Sequence, residues 1–166
     1  MKHRVMKKQN NSRKCLICGL DSLFSLKTRF YELENKELVA VFDVLEEHQS
    51  YPGRLHGGIA SAVLDEAIGR AIMIDEPDTW GVTVELKVKF KKPLPLDQQL
   101  KAVARITVNS KRLFEGTGEI LLENGEVAAT AYGKYMKLSL EKISDGLHEE
   151  ELWIFDDSDI PEEIEL

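Results

Sequence analysis

A strict alternation of apolar and polar residues marks the middle of the chain. Over residues 82–91, charged or hydroxyl residues separate the apolar ones, which are Val82, Val84, Leu86, Val88 and Phe90. Because successive side chains of a β-strand point to opposite faces of a sheet, this period of two predicts a strand. Pro93 ends the pattern, since proline cannot donate to the hydrogen-bond ladder.

Other apolar runs predict five further strands, two before this one and three after it. They cover residues 26–33, 37–45, 100–110, 113–123 and 126–138. Asn124-Gly125 between the last two strands is typical of a tight hairpin.

One helix is predicted, over residues 58–74, and it is apolar around most of its circumference. Its large apolar residues are Ile59, Val63, Leu64, Ile68, Ile72, Met73 and Ile74. A helix that is apolar on nearly all sides is buried. The small residues between them allow a sheet to approach closely.

The order of two strands, one buried helix and four strands favours an α+β fold. We expect an antiparallel sheet of about six strands wrapped around the single central helix. Such a sheet leaves one edge open, which a second copy of the chain can cover, so a homodimer or a homotetramer built from two dimers is expected. The domain is assigned to residues 24–140, between a basic extension (1–23) and an acidic tail (141–166).

Charge is concentrated at the two ends of the chain. The net charge is −7, yet residues 1–14 hold six lysines and arginines without an acid, and residues 141–166 hold eleven acids and Lys142. The basic end has no aromatic residues or recognition motif, so a mobile or crystal-ordered terminus is expected rather than a contact with nucleic acid. In the tail, one apolar cluster is expected to dock on the domain or a partner while the remainder is solvated; it comprises Leu152, Trp153, Ile154 and Phe155.

Composition otherwise indicates an ordinary globular domain of 166 residues, 43% of them hydrophobic. No apolar run reaches the roughly 18 residues that a membrane span needs. No apolar segment follows the basic end as in a secretory signal. A cytoplasmic protein without membrane contact is expected.

The two cysteines, Cys15 and Cys18, form a single Cys-x-x-Cys. A complete zinc site needs four ligands, so one pair is too few. Reduced thiols that cap the first strand are expected, with a metal shared across a dimer as the alternative.

The candidate chemistry lies where a His-Gly-Gly turn opens the helix. Glycine lets the backbone approach a ligand closely, and the first turn of a helix has unpaired N–H donors. Gly57 and Gly58 therefore offer a place to stabilise a negatively charged oxygen. Asp65, nine residues after His56, could activate water against the same carbon. This combination is typical of a hydrolase.

Asp65 is the strongest catalytic candidate. No lysine or arginine stands three or four positions from it, and burial of an unpaired carboxylate is costly. The alternative is that Asp65 bonds the nearby backbone or Ser61. Glu66 has Arg70 at i+4 and is expected to form an ion pair, which leaves it a second-choice acid. His56 either contacts substrate or caps the helix.

Several motifs resemble the hotdog-fold acyl-CoA thioesterases, in particular the PaaI-like group, over residues 24–138. A Cys-x-x-Cys-Gly opening at Cys15 adds to the resemblance. The main motifs are Gly53-Arg54-Leu55-His56-Gly57-Gly58 with Leu64-Asp65-Glu66-Ala67, then Gly81-Val82-Thr83-Val84-Glu85-Leu86, and finally Asn124-Gly125-Glu126-Val127-Ala128.

The resemblance implies hydrolysis of an acyl-CoA to a free acid and coenzyme A, with no metal or cofactor. Asp65 would act as general base or as nucleophile, and the Gly57 N–H would polarise the thioester carbonyl. His56 would orient that carbonyl, and Thr83 of a partner subunit would hold the attacking water. Lys111 and Arg112 lie in a turn that in relatives is near the coenzyme A phosphates; the alternative for them is a solvated surface.

Ser50, Gly58 and Glu66 are further candidates for substrate contact, and two positions depart from the family. Ser50 stands where Asn or Gln is usual, and Gly69 where some relatives carry a water-binding hydroxyl. These departures favour the alternative of a non-catalytic module that binds an acyl-CoA or another acyl ligand. A dehydratase would need a differently placed histidine, for which His48 is the spare candidate. No dinucleotide fingerprint or P-loop is present. The sequence leaves open the acyl chain and whether its carrier is coenzyme A or acyl carrier protein.

Overall fold

The computed structural model describes residues 1–144, 153–158 and 160–166. The helices are α1 (Gly57–Ala71), which a short 3-10 turn at Ile72–Ile74 extends, and α2 (Leu140–Ile143). The strands are β1 (Lys2–Lys8), β2 (Asn11–Ser12), β3 (Arg29–Leu33), β4 (Leu38–Asp43), β5 (Trp80–Phe90), β6 (Gln99–Asn109), β7 (Leu113–Leu121), β8 (Val127–Leu138), β9 (Trp153–Ile154) and β10 (Glu163–Glu165). No helix among these residues is long and apolar enough to cross a membrane.

The predicted α+β architecture, an antiparallel sheet around one long helix, is confirmed, but the strand number is corrected. The main sheet has eight strands in the order β10-β1-β3-β4-β6-β7-β8-β5. The six expected strands are β3 to β8. The two additional strands come from the terminal extensions, and β2 and β9 form a separate pair.

The basic end of the chain is an ordered strand, so of the two states expected for it the mobile one is wrong. β1 pairs with β3 on one side and with the acidic β10 on the other. Charge complementarity accompanies the second pairing, since Lys2 Nζ lies 3.4 Å from the Glu163 carboxylate. Elsewhere in the tail, Lys8 Nζ lies 3.0 Å from the Asp156 carboxylate. The tail is therefore not wholly solvated either: β10 adds the last strand to the sheet.

Helix α1 packs on the sheet at very short range because β7 carries glycines beneath it. A Cβ atom at Gly116 would stand 2.7 Å from Ile68 Cγ2, and one at Gly118 would stand 3.2 Å from Leu64 Cδ2. Real Cβ atoms essentially never approach other atoms to within 3.0 Å, so a side chain at Gly116 would push the helix away. Leu64 and Ile68 are fully buried, which confirms the predicted burial of the helix.

The acidic tail docks on the domain through Trp153. Its ring stacks on Trp80, with centroids 5.2 Å apart, and the Arg70 guanidinium lies 4.9 Å from its centroid. Phe155 is 80% exposed, and Leu152 lies outside the described residues. Docking of the apolar cluster is thus confirmed for Trp153.

Replacement of this anchor should destabilise the protein measurably. We expect Trp153→Ala to lower the free energy of unfolding by about 2 kcal/mol, because it removes an aromatic stack and a cation–π contact. Urea unfolding measures the change, and Phe155→Ala is the matched control on an exposed ring of the same segment. Equal loss in the two variants would contradict docking through Trp153.

Candidate active site

His56 forms the N-cap of α1. Its backbone is extended (φ −63°, ψ 129°), and its Nδ1 accepts a hydrogen bond from the Gly58 N–H at 2.8 Å. Acceptance at Nδ1 places the proton of the neutral ring on Nε2, which is left as a donor. His56 therefore caps the helix, which was its alternative role, and the Gly58 N–H is occupied by this hydrogen bond. The ring itself is exposed.

Gly57 provides the unused donor of the first helical turn. Its N–H has no hydrogen-bond partner among the described residues. The residue is half-buried beside the Phe90 ring, which a Cβ at Gly57 would approach to 3.3 Å. Because first-turn N–H groups carry a partial positive charge, this position suits a negatively charged oxygen.

Asp65 lies in the middle of α1 and is held by two hydroxyl groups. Thr83 donates to its Oδ1 at 2.9 Å, and the Tyr135 hydroxyl lies 3.0 Å from Oδ1 and 2.9 Å from the Asp65 main-chain oxygen. Within the described part of the chain, its Oδ2 accepts no hydrogen bond and its carboxylate forms no ion pair. Ser61 bonds Gly57 O instead, at 2.8 Å, so the alternative of a Ser61–Asp65 bond is wrong.

Tyr135 is the site residue that the sequence analysis missed. Its ring occupies a slot opened by glycines: a Cβ at Gly69 would lie 3.3 Å from the ring, and one at Gly133 would lie 2.6 Å from it. Burial, and then the neighbouring Asp65 carboxylate, raise the pKa of Tyr135 well above its usual range. The sequence signal is weak, since only the pairing of Thr83 with Tyr135 between β5 and β8 brings the two hydroxyls to one carboxylate.

The Thr83 contact with Asp65 is made within one chain, whereas the resemblance implies a threonine from a partner subunit. β5 pairs with β8 on one side, and no strand in the described part of the chain pairs with its other edge. Val84 and Phe90 on this strand are 55% and 54% exposed.

Gly57 and Asp65 are too far apart to act on one carbonyl within a single chain. Asp65 lies eight positions after Gly57 in the α-helix, which corresponds to about 12 Å along the axis. A nucleophile or its water and an oxyanion donor must both lie about 3 Å from the reacting group. The expectation that both groups of one chain face the same carbon is therefore wrong.

Other predicted site residues fall into two groups. Ser50 and the turn residues Lys111 and Arg112 are exposed, and the described residues give their side chains no hydrogen bond or ion pair. The turn adjoins the end of β7, where Phe114 pairs with Tyr135.

The second group has structural partners. Glu66 pairs with Arg70 at 2.9 Å, as expected, and also accepts a hydrogen bond from the Cys15 thiol. His48 is buried with both ring nitrogens engaged, by Leu45 N–H and Phe24 O. His48 is thus occupied structurally, which argues against the dehydratase alternative.

Comparisons with known proteins indicate the family. A family model described as "Thioesterase superfamily" matches residues 52–129. An uncharacterized protein of Schizosaccharomyces pombe is 30% identical over 119 residues, which cover 68% of this chain and 68% of that protein. Acyl-coenzyme A thioesterase 13 of Mus musculus is 27% identical over 78 residues, 47% of this chain and 56% of the mouse protein.

Among solved structures, a Bacillus halodurans protein crystallised with CoA is similar. It is 26% identical with a TM-score of 0.62, and the match covers 68% of this chain and 75% of that one. This chain thus spans little more than half of the mouse enzyme but most of the bacterial protein.

The raised pKa of Tyr135 predicts a pH effect on stability. In the unfolded chain a tyrosine ionises near pH 10, whereas the folded chain keeps the Tyr135 hydroxyl protonated above that pH. Because the folded state then binds one proton more than the unfolded state, the free energy of unfolding falls as pH rises above 10. The fall attributable to Tyr135 approaches about 1.4 kcal/mol per pH unit. Tyr135→Phe should lose about 1 kcal/mol at neutral pH and decline less steeply above pH 10.

Chemical denaturation between pH 8 and pH 11 measures both effects. Tyr51→Phe, on an exposed ring of the loop before α1, is the matched control. A slope in Tyr135→Phe as steep as in the unchanged protein would contradict the role given to the buried hydroxyl.

Proposed function

Because the chain belongs to the thioesterase superfamily, we propose that it hydrolyses acyl-CoA thioesters to a free carboxylic acid and coenzyme A. The observation that carries the proposal is Asp65, a carboxylate fixed by two hydroxyls with one oxygen left free. Asp65 is half-buried, so its free Oδ2 is accessible to water or to a substrate while Oδ1 is held.

Asp65 Oδ2 is the oxygen that reacts, and Oδ1 holds the carboxylate in place through its hydrogen bonds. Thr83 and Tyr135 hold Oδ1, so the free oxygen has a defined direction. As a general base it takes a proton from water, which then attacks the thioester carbon. As a nucleophile it attacks that carbon itself and water hydrolyses the anhydride. Both routes end in the same acid and thiol.

Tyr135 places its hydroxyl beside Asp65 because Gly69 has no side chain. The absence of a side chain at Gly69 admits the Tyr135 ring, whose hydroxyl reaches Asp65 from the sheet side. The glycine at position 69 thereby lets a hydroxyl from β8 orient the carboxylate.

The Gly57 N–H stabilises the oxyanion that forms at the thioester carbonyl. The thioester in question is the one attacked at Asp65 of the other subunit. Since about 12 Å of helix separate Gly57 from Asp65, one complete site combines Asp65 with Gly57 of the partner subunit. The open edge of β5 is the surface that brings the two together: it carries Thr83 of the site and the exposed Val84 and Phe90. A two-fold dimer through this edge gives two identical sites.

The turn between β6 and β7 suits the coenzyme A phosphates. Lys111 and Arg112 are exposed and unpaired among the described residues, and their turn adjoins the strand pair that carries Tyr135. Free cations beside a site raise the local concentration of an anionic substrate.

A non-catalytic module that binds acyl-CoA is the second candidate. The observation that favours it is Ser50, whose short exposed side chain makes no hydrogen bond among the described residues. A longer amide at this position would reach further toward a bound thioester.

The first experiment measures thiol release from short, medium, long and aryl acyl-CoAs. We expect Asp65→Asn to lower kcat by 10²- to 10⁴-fold, because the amide cannot accept a proton from water or attack the thioester. Asp75→Asn, on an exposed carboxylate paired with Lys36, is the matched control and should release thiol normally. Full activity in Asp65→Asn contradicts the assignment, and binding without release by the unchanged protein identifies the non-catalytic module.

The oxyanion role has a test in the same assay. Gly57→Pro removes the N–H at the first helical position, where proline is tolerated, and the extended backbone of His56 suits a following proline. Gly57→Ala adds a Cβ and keeps the N–H. We expect kcat to fall 10²- to 10³-fold more in Gly57→Pro than in Gly57→Ala. Similar losses in both would assign the effect to crowding against Phe90.

A further inference from the structure

A second cluster of reactive side chains lies against α1, beside Arg70 rather than beside Thr83 and Tyr135. The sulfurs of Cys15 and Cys18 and a carboxylate oxygen of Glu66 all lie within 4.8 Å of one another. Both cysteines are free thiols, in the segment between β2 and β3. We propose that Cys15, Cys18 and Glu66 bind a zinc ion that fixes the N-terminal segment to the central helix.

The cysteine turn is shaped to present both sulfurs to one point. Gly19 N–H closes the turn on Cys15 O at 2.8 Å, and a Cβ at Gly19 would stand only 2.4 Å from that oxygen. Two backbone N–H groups also point at the sulfurs: Ile17 donates to Cys15 Sγ at 3.3 Å, and Ser12 to Cys18 Sγ at 3.4 Å. Both N–H groups can keep these hydrogen bonds when the sulfurs are thiolates, which is the form that binds metal.

Glu66 completes a ligand set that the sequence alone does not reveal. Its Oε2 lies 3.1 Å from Cys15 Sγ. Thiolate and carboxylate are both zinc ligands, and three protein ligands with water in the fourth position make a tetrahedral site. The missing ligands of the Cys-x-x-Cys motif are thus one residue on α1 and one water.

Arg70 balances the charge of this set. Zinc with two thiolates and one carboxylate carries a net charge of −1, which the guanidinium brings to zero. Arg70 is buried and donates to Cys18 Sγ at 3.1 Å and to Glu66 Oε1 at 2.9 Å, so it touches two of the three ligands. Hydrogen bonds from such outer residues orient metal ligands.

The three ligand atoms, which lie within 4.8 Å of one another, have to shift to reach the separations of a zinc site. In a tetrahedral zinc site, bond lengths of 2.0–2.3 Å put two sulfurs about 3.8 Å apart and a sulfur and an oxygen about 3.6 Å apart. The Cys15–Glu66 contact must therefore open by about 0.5 Å when zinc replaces the thiol proton. Binding releases the two thiol protons to solvent, which Cys15 reaches because it is only half-buried.

A disulfide between Cys15 and Cys18 is the competing use of the pair. It requires a two-electron oxidant such as a low-molecular-weight disulfide, and it gives the Glu66 carboxylate no role. The carboxylate contact at 3.1 Å favours the metal.

The test uses the full chain, reduced, stripped of metal and then titrated with Co²⁺ and Zn²⁺. One Co²⁺ per chain should bind with a thiolate-to-metal charge-transfer band, and Zn²⁺ should abolish that band. Cys15→Ser and Cys18→Ser should each lower the affinity for Co²⁺ at least tenfold and reduce the intensity of the charge-transfer band. Glu66→Gln should keep the band but weaken binding at least tenfold, whereas Glu123→Gln, on an exposed glutamate, is the matched control.

Three results would overturn the proposal. The first is a reduced chain that takes up neither metal, and the second is a Glu66→Gln variant that binds Co²⁺ as the unchanged protein does. The third is that oxidised glutathione converts the two thiols to an internal disulfide while the reduced chain does not bind Zn²⁺. Circular dichroism of each variant establishes that a loss of binding is not a loss of fold.

Discussion

The close approach of α1 to β7 is the constraint on which the rest of the structure depends. Gly116 and Gly118 let Ile68 and Leu64 reach the strand backbone, so the helix has one allowed depth and rotation against the sheet. That rotation directs Asp65 toward β5 and β8, where Thr83 and Tyr135 hold it. A larger residue at Gly116 would disturb the packing and the carboxylate together.

The same rotation gives neighbouring residues of one helix two different surroundings. Asp65 and Glu66 are separated by about 100° around the axis. Asp65 contacts hydroxyls of the sheet, while Glu66 contacts Arg70 and the thiol of Cys15. Arg70 in turn donates to Asn10 O at 2.9 Å and lies 4.9 Å from the centroid of the Trp153 ring, so both terminal extensions converge on this side of the helix.

Local patterns predicted most of the domain, and contacts between distant segments account for what they missed. Alternation at Val82–Phe90 and the apolar helix predicted elements that exist, because the side-chain period of a strand or a helix is written in its own residues. β1 and β10 carry little apolar pattern; they pair through backbone bonds and opposite charges. Tyr135 was missed because its slot depends on Gly69 and Gly133, which are distant in sequence and meaningful only after the sheet has closed.

A site divided between two chains is the central claim, and mixing two inactive variants tests it most directly. Asp65→Asn and Gly57→Pro are unfolded together, refolded as a mixture and assayed for thiol release. If Asp65 acts with Gly57 of the partner subunit, a hybrid dimer contains one intact site, and a random mixture should recover about a quarter of the unchanged activity. Activity no higher than that of either variant alone would contradict the shared site.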